Sequence, residues 1–328
     1  MKAMIYHQYG SVAALHLEEV AQPVPDDNEV LIKVYAASVN DWDWGLLKGV
    51  PFANRVMAGL FKPKKIKILG CDIAGRIVAT GKNIKHFKPG DEVFGDISAC
   101  GFGGFAEYVC ASEAALRLKP ASMTFEQAAA LPQASLLALQ GLVDKGRIQS
   151  ARKVLINGAG GGAGTYAIQI ARSFRAEVTA VDSAEKSALM LFIGADHVID
   201  YRAEDFTKSA QSYDLVLDCA LQRSVFDCKS VLKPGGRYIV LGGSSLRILQ
   251  FVLIGFLFSL FSDKKMSLLL LKQNKGLDSL IDFFEAVKVV PVIDKCYPLS
   301  ELAEALQYFG EGHAKGKLVI TIQADNNS

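Results

Sequence analysis

The run Val154-Leu-Ile-Asn-Gly-Ala-Gly-Gly-Gly-Ala-Gly164 is a short apolar strand that breaks into glycines and leads into the helix-forming Thr165-Tyr-Ala-Ile-Gln-Ile-Ala171. Small residues let a backbone approach a pyrophosphate closely, and a helix starting behind them offers free N–H groups and a positive dipole end. The spacing fits Ala159-x-Gly161-x-x-Gly164, with alanine in the first glycine position and Gly162 and Ala163 inside the motif. Gly158-x-Gly160-x-x-Ala163 is the lesser alternative. Its place between a strand and a helix is what separates this loop from an incidental glycine-rich turn. The next strand ends at Asp182, where a carboxylate accepts from ribose hydroxyls and favours NADH. Lys186 one turn later and Tyr201-Arg202 beyond the following strand offer a 2′-phosphate and an adenine contact, which favours NADPH. The residues leave that choice open. A plainer reading makes Asp182 an N-cap and Lys186 a solvated charge.

The six cysteines, Cys71, Cys100, Cys110, Cys219, Cys228 and Cys296, are scattered, and no two have CxxC spacing. That excludes a zinc ribbon or a redox pair and reads as reduced thiols in a cytoplasmic protein.

The elements that must position the loop follow from the pattern around it. The first 120 or so residues hold short β-branched runs split by Gly and Pro, such as Val30–Tyr35 and Gly75–Thr80, as in an irregular β-barrel. From Thr124, a candidate N-cap, the texture turns helical through Leu142. Strands at Lys153–Asn157, Glu177–Val181, His197–Ile199, Leu215–Asp218 and Tyr238–Leu241 then alternate with helices, which implies a parallel sheet covered on both faces. A helix over Leu299–Phe309 and a strand over Lys317–Ile322 close the chain. The resulting division is 1–123, 124–290 and 291–328, with the middle segment binding the dinucleotide.

Lys plus Arg (36) nearly balance Asp plus Glu (34), so no basic stripe marks a nucleic-acid partner. Leu246–Phe261 is the most apolar stretch. As a helix it is about 24 Å long, short of the ~30 Å bilayer core. It reads as a buried helix or subunit contact ahead of a peripheral membrane contact. Ser267–Leu271, flanked by lysines, reads as an edge strand suited to pairing in a homodimer.

Several motifs in one order resemble a known family. They include Ser38-Val-Asn-Asp-Trp-Asp-Trp44, Leu69-Gly-Cys-Asp-Ile-Ala-Gly75, Lys88-Pro-Gly-Asp-Glu-Val-Phe-Gly95 and Gly104-Phe-Ala-Glu-Tyr-Val109. The glycine loop, Gly194-Ala-Asp-His-Val-Ile-Asp-Tyr201, Lys233-Pro-Gly-Gly-Arg-Tyr238 and Gly312-His-Ala-Lys-Gly-Lys-Leu-Val319 continue the series. The chain resembles a medium-chain dehydrogenase/reductase of the zinc-independent quinone oxidoreductase type. Within it, the chain is most similar to the branch of the chloroplast-envelope quinone oxidoreductase homologue and its bacterial relatives. The resemblance implies a Rossmann doubly wound sheet inserted into a GroES-like barrel made from both chain ends. It also implies hydride transfer from NADPH or NADH to an enone, quinone or related activated carbonyl compound. Zinc-type relatives bind the metal where this chain has Asn40 and Cys71-Asp72, so the resemblance implies no zinc. It casts Asn40, Asp43 and Trp44 as the substrate-side residues: an orienting amide, a loop-ordering carboxylate and an aromatic flank. Gly242 and Gly243 end a strand beside the nicotinamide, and Lys317 reaches the cofactor. A non-catalytic NAD(P)H-binding regulator and an alcohol dehydrogenase are the rival readings.

Overall fold

The computed structural model describes residues 1–323. The last five residues of the expected segment 291–328 lie outside the described residues. Strands β1 (Lys2–Tyr6), β2 (Leu15–Glu19), β3 (Glu29–Ser38), β4 (Asp72–Thr80), β5 (Glu92–Asp96), β6 (Tyr108–Ser112) and β7 (Arg117–Leu118) come first, with helices α1 (Asp41–Lys48), α2 (Phe52–Ala58) and α3 (Phe125–Ala130). Then follow α4 (Pro132–Leu139), β8 (Lys153–Asn157), α5 (Gly162–Ser173), β9 (Glu177–Asp182), α6 (Ser187–Phe192) and β10 (His197–Asp200). β11 (Tyr213–Asp218), α7 (Val225–Ser230), β12 (Leu232–Val240), α8 (Ser245–Phe261) and β13 (Lys265–Leu268) continue the alternation. The chain closes with α9 (Leu277–Glu285), β14 (Ile293–Pro298), α10 (Leu302–Gly310) and β15 (Lys317–Thr321).

These elements form two compact units. One holds Met1–Gln133, Gln273–Asp278 and the chain from Ile293; the other holds Ala134–Lys272 and Ser279–Val292. In the first unit a seven-stranded sheet runs β14-β15-β3-β4-β5-β7, with β6 also on β3. Its antiparallel register sets Ser38 opposite Asp72, and Asp72 opposite Asp96, so three polar side chains line up across neighbouring strands. Val30, Ile32 and Val34 of β3 pack with Leu46, Leu47, Phe105, Leu302 and Leu306 to form the core.

The second unit is a six-stranded parallel sheet in the order β10-β9-β8-β11-β12-β13. Val154, Leu155 and Ile156 of β8 are wholly buried, as the continuous apolar run requires of a strand covered on both faces. The order reverses beside β8: the chain passes to β9 and β10 on one side and resumes with β11 on the other. Ligands of such sheets bind outside the carboxyl ends of the strands at this switch point, and the glycine loop follows β8 there.

Three expectations change in detail. The long helix from Thr124 breaks into α3 and α4, because Pro132 starts the second helix and has no N–H to continue the first. Thr124 does cap α3, accepting from Gln127 N–H at 3.2 Å. The apolar segment is a helix, α8, but it is not buried. Only Phe251 and Gly255 are, while Leu246, Leu249, Val252, Leu253, Phe256, Leu257, Leu260 and Phe261 are exposed. Sheet and α7 pack against one face of α8, and the eight exposed apolar side chains occupy the rest of it. The edge strand β13 also sits earlier than Ser267–Leu271. Leu269, just past it, is buried and donates its N–H to Val240 O at 2.9 Å within the same sheet. Among the described residues, no helix is long and apolar enough to cross a membrane.

Candidate cofactor loop and buried polar cluster

The loop is built by three glycines with three different duties. Gly158 turns the chain directly after β8 at φ +77°, a conformation that favours glycine. The tight-turn position is therefore Gly158 and not Ala159, and the working spacing is Gly158-x-x-Gly161-x-x-Gly164. Gly164 lets α5 close on the loop, since a Cβ there would collide with Gly158 O and lie 2.5 Å from Ala159 Cα. Gly161 precedes α5, has ordinary extended geometry and gives the helix no side-chain cap. A Cβ on Gly161 would meet only Gly158 O, at 3.5 Å. The space over Gly161 is open and the first-turn amides of α5 lack a side-chain acceptor, which is what an incoming phosphate needs. Gly162 and Ala163 are the first two residues of that turn.

Asp182 and Lys186 face each other instead of acting separately. Asp182 Oδ2 accepts from Gly160 N at 2.9 Å and Oδ1 from Ser183 N at 2.8 Å, while Lys186 Nζ lies 3.4 Å from Oδ1. Lys186 is 9 % exposed and packs over Gly160, so the solvated-charge reading fails. Tyr201 is exposed beside Arg202, whose guanidinium lies 5.7 Å from the ring. Gly242 and Gly243 follow β12, and Gly243 at φ +147° passes close over Leu221.

In the other unit the strand register gathers a buried polar cluster. Asn40 Nδ2 donates to Asp72 Oδ2 at 3.0 Å, and Asn40 Oδ1 accepts from Lys317 Nζ at 2.6 Å. Lys317 also donates to Val39 O at 2.9 Å and stands 3.8 Å from Asp72 Oδ2. Gln133 N donates to Asp72, 3.1 Å from Oδ2. Asp43 accepts from Gly70 N at 2.7 Å and Asn40 N at 2.9 Å, tying the start of α1 to the loop before β4. Asp96 Oδ1 accepts from Ser98 N at 2.8 Å, while its buried Oδ2 has no donor. Burial pushes the carboxyls of Asp43 and Asp72 up to about 7 and that of Asp96 upward too, with Lys317 opposing the shift in each. Burial also drives the Cys71 thiol well above its usual range.

Cys71, Asp72 and Asp96 bring their ligand atoms within 4.8 Å of one another. Asn40 Nδ2 donates to Cys71 Sγ at 3.4 Å, and the ammonium of Lys317 stands 3.8 Å from Asp72 Oδ2, so this donor set already has a cation beside it.

The predicted substrate-side residues are thus placed unevenly. The amide of Asn40 lies within the cluster, donating to Asp72 and accepting from Lys317. Asp43 orders its loop. Trp44 packs on Gly310 of α10 with Lys48 5.1 Å from its ring, so it is a core aromatic and does not join the cluster. Lys317 is 3 % exposed, and its ammonium donates to Val39 O and Asn40 Oδ1 inside its own unit. Asp96 and Gln133 were missed. Asp96 stands at the end of a strand pattern that gives no sign of which carboxylates will face one another.

Residues 26–121 match the alcohol dehydrogenase GroES-like domain, and residues 193–320 match the zinc-binding dehydrogenase family. The chloroplast envelope quinone oxidoreductase homolog of Arabidopsis thaliana is 32% identical, over 98% of this chain and 98% of its own. The 2-methylene-furan-3-one reductase of Solanum lycopersicum is 36% identical, over 98% of this chain and 79% of its own. The quinone oxidoreductase of Coxiella burnetii superposes with a TM-score of 0.88 at 29% identity, over 98% of this chain and 99% of that one. A GroES-like domain with a Rossmann-type parallel sheet defines the class, a medium-chain dehydrogenase/reductase. Within that class, the chain belongs to the quinone oxidoreductase family.

Proposed function

We propose that this chain is an enzyme that transfers a hydride from NADPH or NADH to an enone, quinone or related apolar carbonyl compound without zinc. The observation that carries the reading is the switch-point loop: an uncapped helix N-terminus with open space over Gly161. When bound, the reduced nicotinamide supplies the hydride. The chain's part is to hold it. Gly161, Gly162, Ala163 and Gly164 present amides and the dipole end of α5, with Ala159, Gly242 and Gly243 as close backbone neighbours. Asp182 offers an acceptor to a ribose hydroxyl, Lys186 a cation to a 2′-phosphate, and Tyr201 a flat face to adenine. Asn40, Asp43 and Lys317 serve as positioning residues that fix the loop between β3 and α1. The nucleotide-binding segment, expected over 124–290, is read as the unit Ala134–Lys272 with Ser279–Val292, inserted between the parts of the substrate segment.

The exposed face of α8 next to the edge strand β13 supports a homodimer that covers this helix. Its eight exposed apolar side chains present on the order of 800 Å², the per-partner area of a standard interface. Six free cysteines suit a reducing compartment such as the cytoplasm. Titration of NADPH and NADH into the parent and Gly161→Leu proteins tests the cofactor site. Leucine at this position is sterically permitted but fills the phosphate space, so binding is lost while the fold remains. Unchanged affinity refutes the reading.

A further inference from the structure

A second polar cavity lies in the same unit as the glycine loop but at the other end of its sheet. It occupies about 260 Å³ and is lined by Arg147, Gln149, Arg152, Asp214, Gly235 and Arg237 over a floor of Ile148 and Leu215. Asp214 and Leu215 begin β11, Gly235 and Arg237 lie in the first part of β12, and Arg152 precedes β8. In a parallel sheet those are the amino ends of the strands, whereas the glycine loop follows the carboxyl end of β8.

The charges in this cavity do not balance. Asp214 is its single carboxylate, and two cations already hold it: Arg152 Nη1 at 2.9 Å and Lys233 Nζ at 2.8 Å. Among the described residues, Arg147 and Arg237 have no carboxylate partner. Arg237 has one long contact, Nη1 to Lys145 O at 3.4 Å. Burial and the neighbouring charge of Arg147 both pull Arg237 below the ordinary guanidinium range. Two like charges are thus held together in a partly enclosed space. The backbone that holds them is itself unusual, since Arg147 at φ +52° and Ala151 at φ +58° both occupy the left-handed region without being glycine. Strain of this sort persists where surrounding structure enforces it and clusters at ligand sites. The side-chain amide N–H groups of Gln149 are available too, because its Oε1 takes Arg152 Nη2 at 3.0 Å.

We propose that the cavity formed by Arg147, Arg152, Arg237 and Gln149 is an anion site for the phosphoryl group of a small phosphorylated molecule, separate from the cofactor loop. Guanidinium forks match a phosphate bidentately, and the apolar floor takes the part of the ligand that carries it. The site lies in the Rossmann unit, yet none of its residues belongs to the dinucleotide-binding loop.

Calorimetric titration of inorganic pyrophosphate at fixed ionic strength tests this in four proteins: parent, Arg147→Ala, Arg237→Gln and Gly161→Leu. The expected result is one binding event per chain that persists in Gly161→Leu and weakens at least tenfold in each arginine variant, with any further event at the cofactor loop lost in Gly161→Leu. Vesicles carrying phosphatidic acid give weaker binding than soluble pyrophosphate, because the ligand is a free molecule. In anion-free, low-salt buffer Arg147→Ala melts higher than the parent, because a like-charge contact is removed. No event in Gly161→Leu, or events left unchanged by both arginine substitutions, overturns the proposal. A lower melting temperature for Arg147→Ala in anion-free buffer also contradicts it.

Discussion

Replacing Lys317 with methionine removes the ammonium that sits, among the described residues, inside a buried cluster of three carboxyls. The ammonium bridges Asn40 Oδ1 and Val39 O and stands 3.8 Å from Asp72 Oδ2. Methionine keeps most of the volume but leaves two acceptors unpaired and Asp43, Asp72 and Asp96 without a counter-charge. Breaking a buried pair in this way costs about 3–5 kcal/mol. For a unit of this size, that lowers the melting temperature by on the order of 10 °C at about pH 8. The loss must depend on pH. Asp43 and Asp72 titrate near 7 in the fold against the ordinary 3.8, so at about pH 5 they are protonated with or without Lys317. There the charge contribution disappears and only the unpaired acceptors remain, at about 1–3 kcal/mol each before relaxation. Melting of parent and variant by circular dichroism at the two pH values reads the difference. A deficit equal at both pH values would show that lysine acts through packing alone, and no deficit at about pH 8 would refute the cluster's electrostatics.

The same shifts give the parent a pH profile. A raised carboxyl pKa stabilises the fold fully below about 4 and loses that stability as pH rises through about 7, so the melting temperature should climb between about pH 8 and pH 5; a flat profile contradicts the assigned shifts. Lys186→Ala should weaken NADPH about tenfold, or ~1.4 kcal/mol, and change NADH by less than about twofold, and equal losses for both would remove the 2′-phosphate role. Phe256→Glu on the exposed face of α8 should convert a dimer to monomer in sedimentation without lowering the melting temperature of the monomer; a monomeric parent sinks the dimer. Turnover should survive prolonged chelation with less than about one zinc per chain by elemental analysis, and chelator-sensitive activity restored by zinc would reverse that reading.

The sequence shows best what local pattern controls. Lys153–Asn157 was placed to the residue, and the strands around it within a few, because β-branched runs between turn residues leave little freedom. The glycine loop was equally plain, yet its first position was misassigned. A run of small residues permits several registers, and only the backbone reveals that Gly158 takes the positive φ. The polar cluster was half visible. Asn40, Asp43 and Lys317 were singled out, but their partnership with Asp72 and Asp96 depends on strand register between segments far apart in the chain. Apolar composition marks α8 as a helix that is either buried or a subunit contact, without saying which of its faces lacks a partner in the single chain.

Anaerobic mixing of the protein with NADPH or NADH and a panel of enones and quinones, followed at 340 nm with product analysis, tests hydride transfer itself. The reading predicts loss of one reduced nicotinamide for each two-electron-reduced product, with apolar acceptors favoured over short polar ones and no need for added metal. Neither cofactor being bound or consumed in the presence of any acceptor would contradict it.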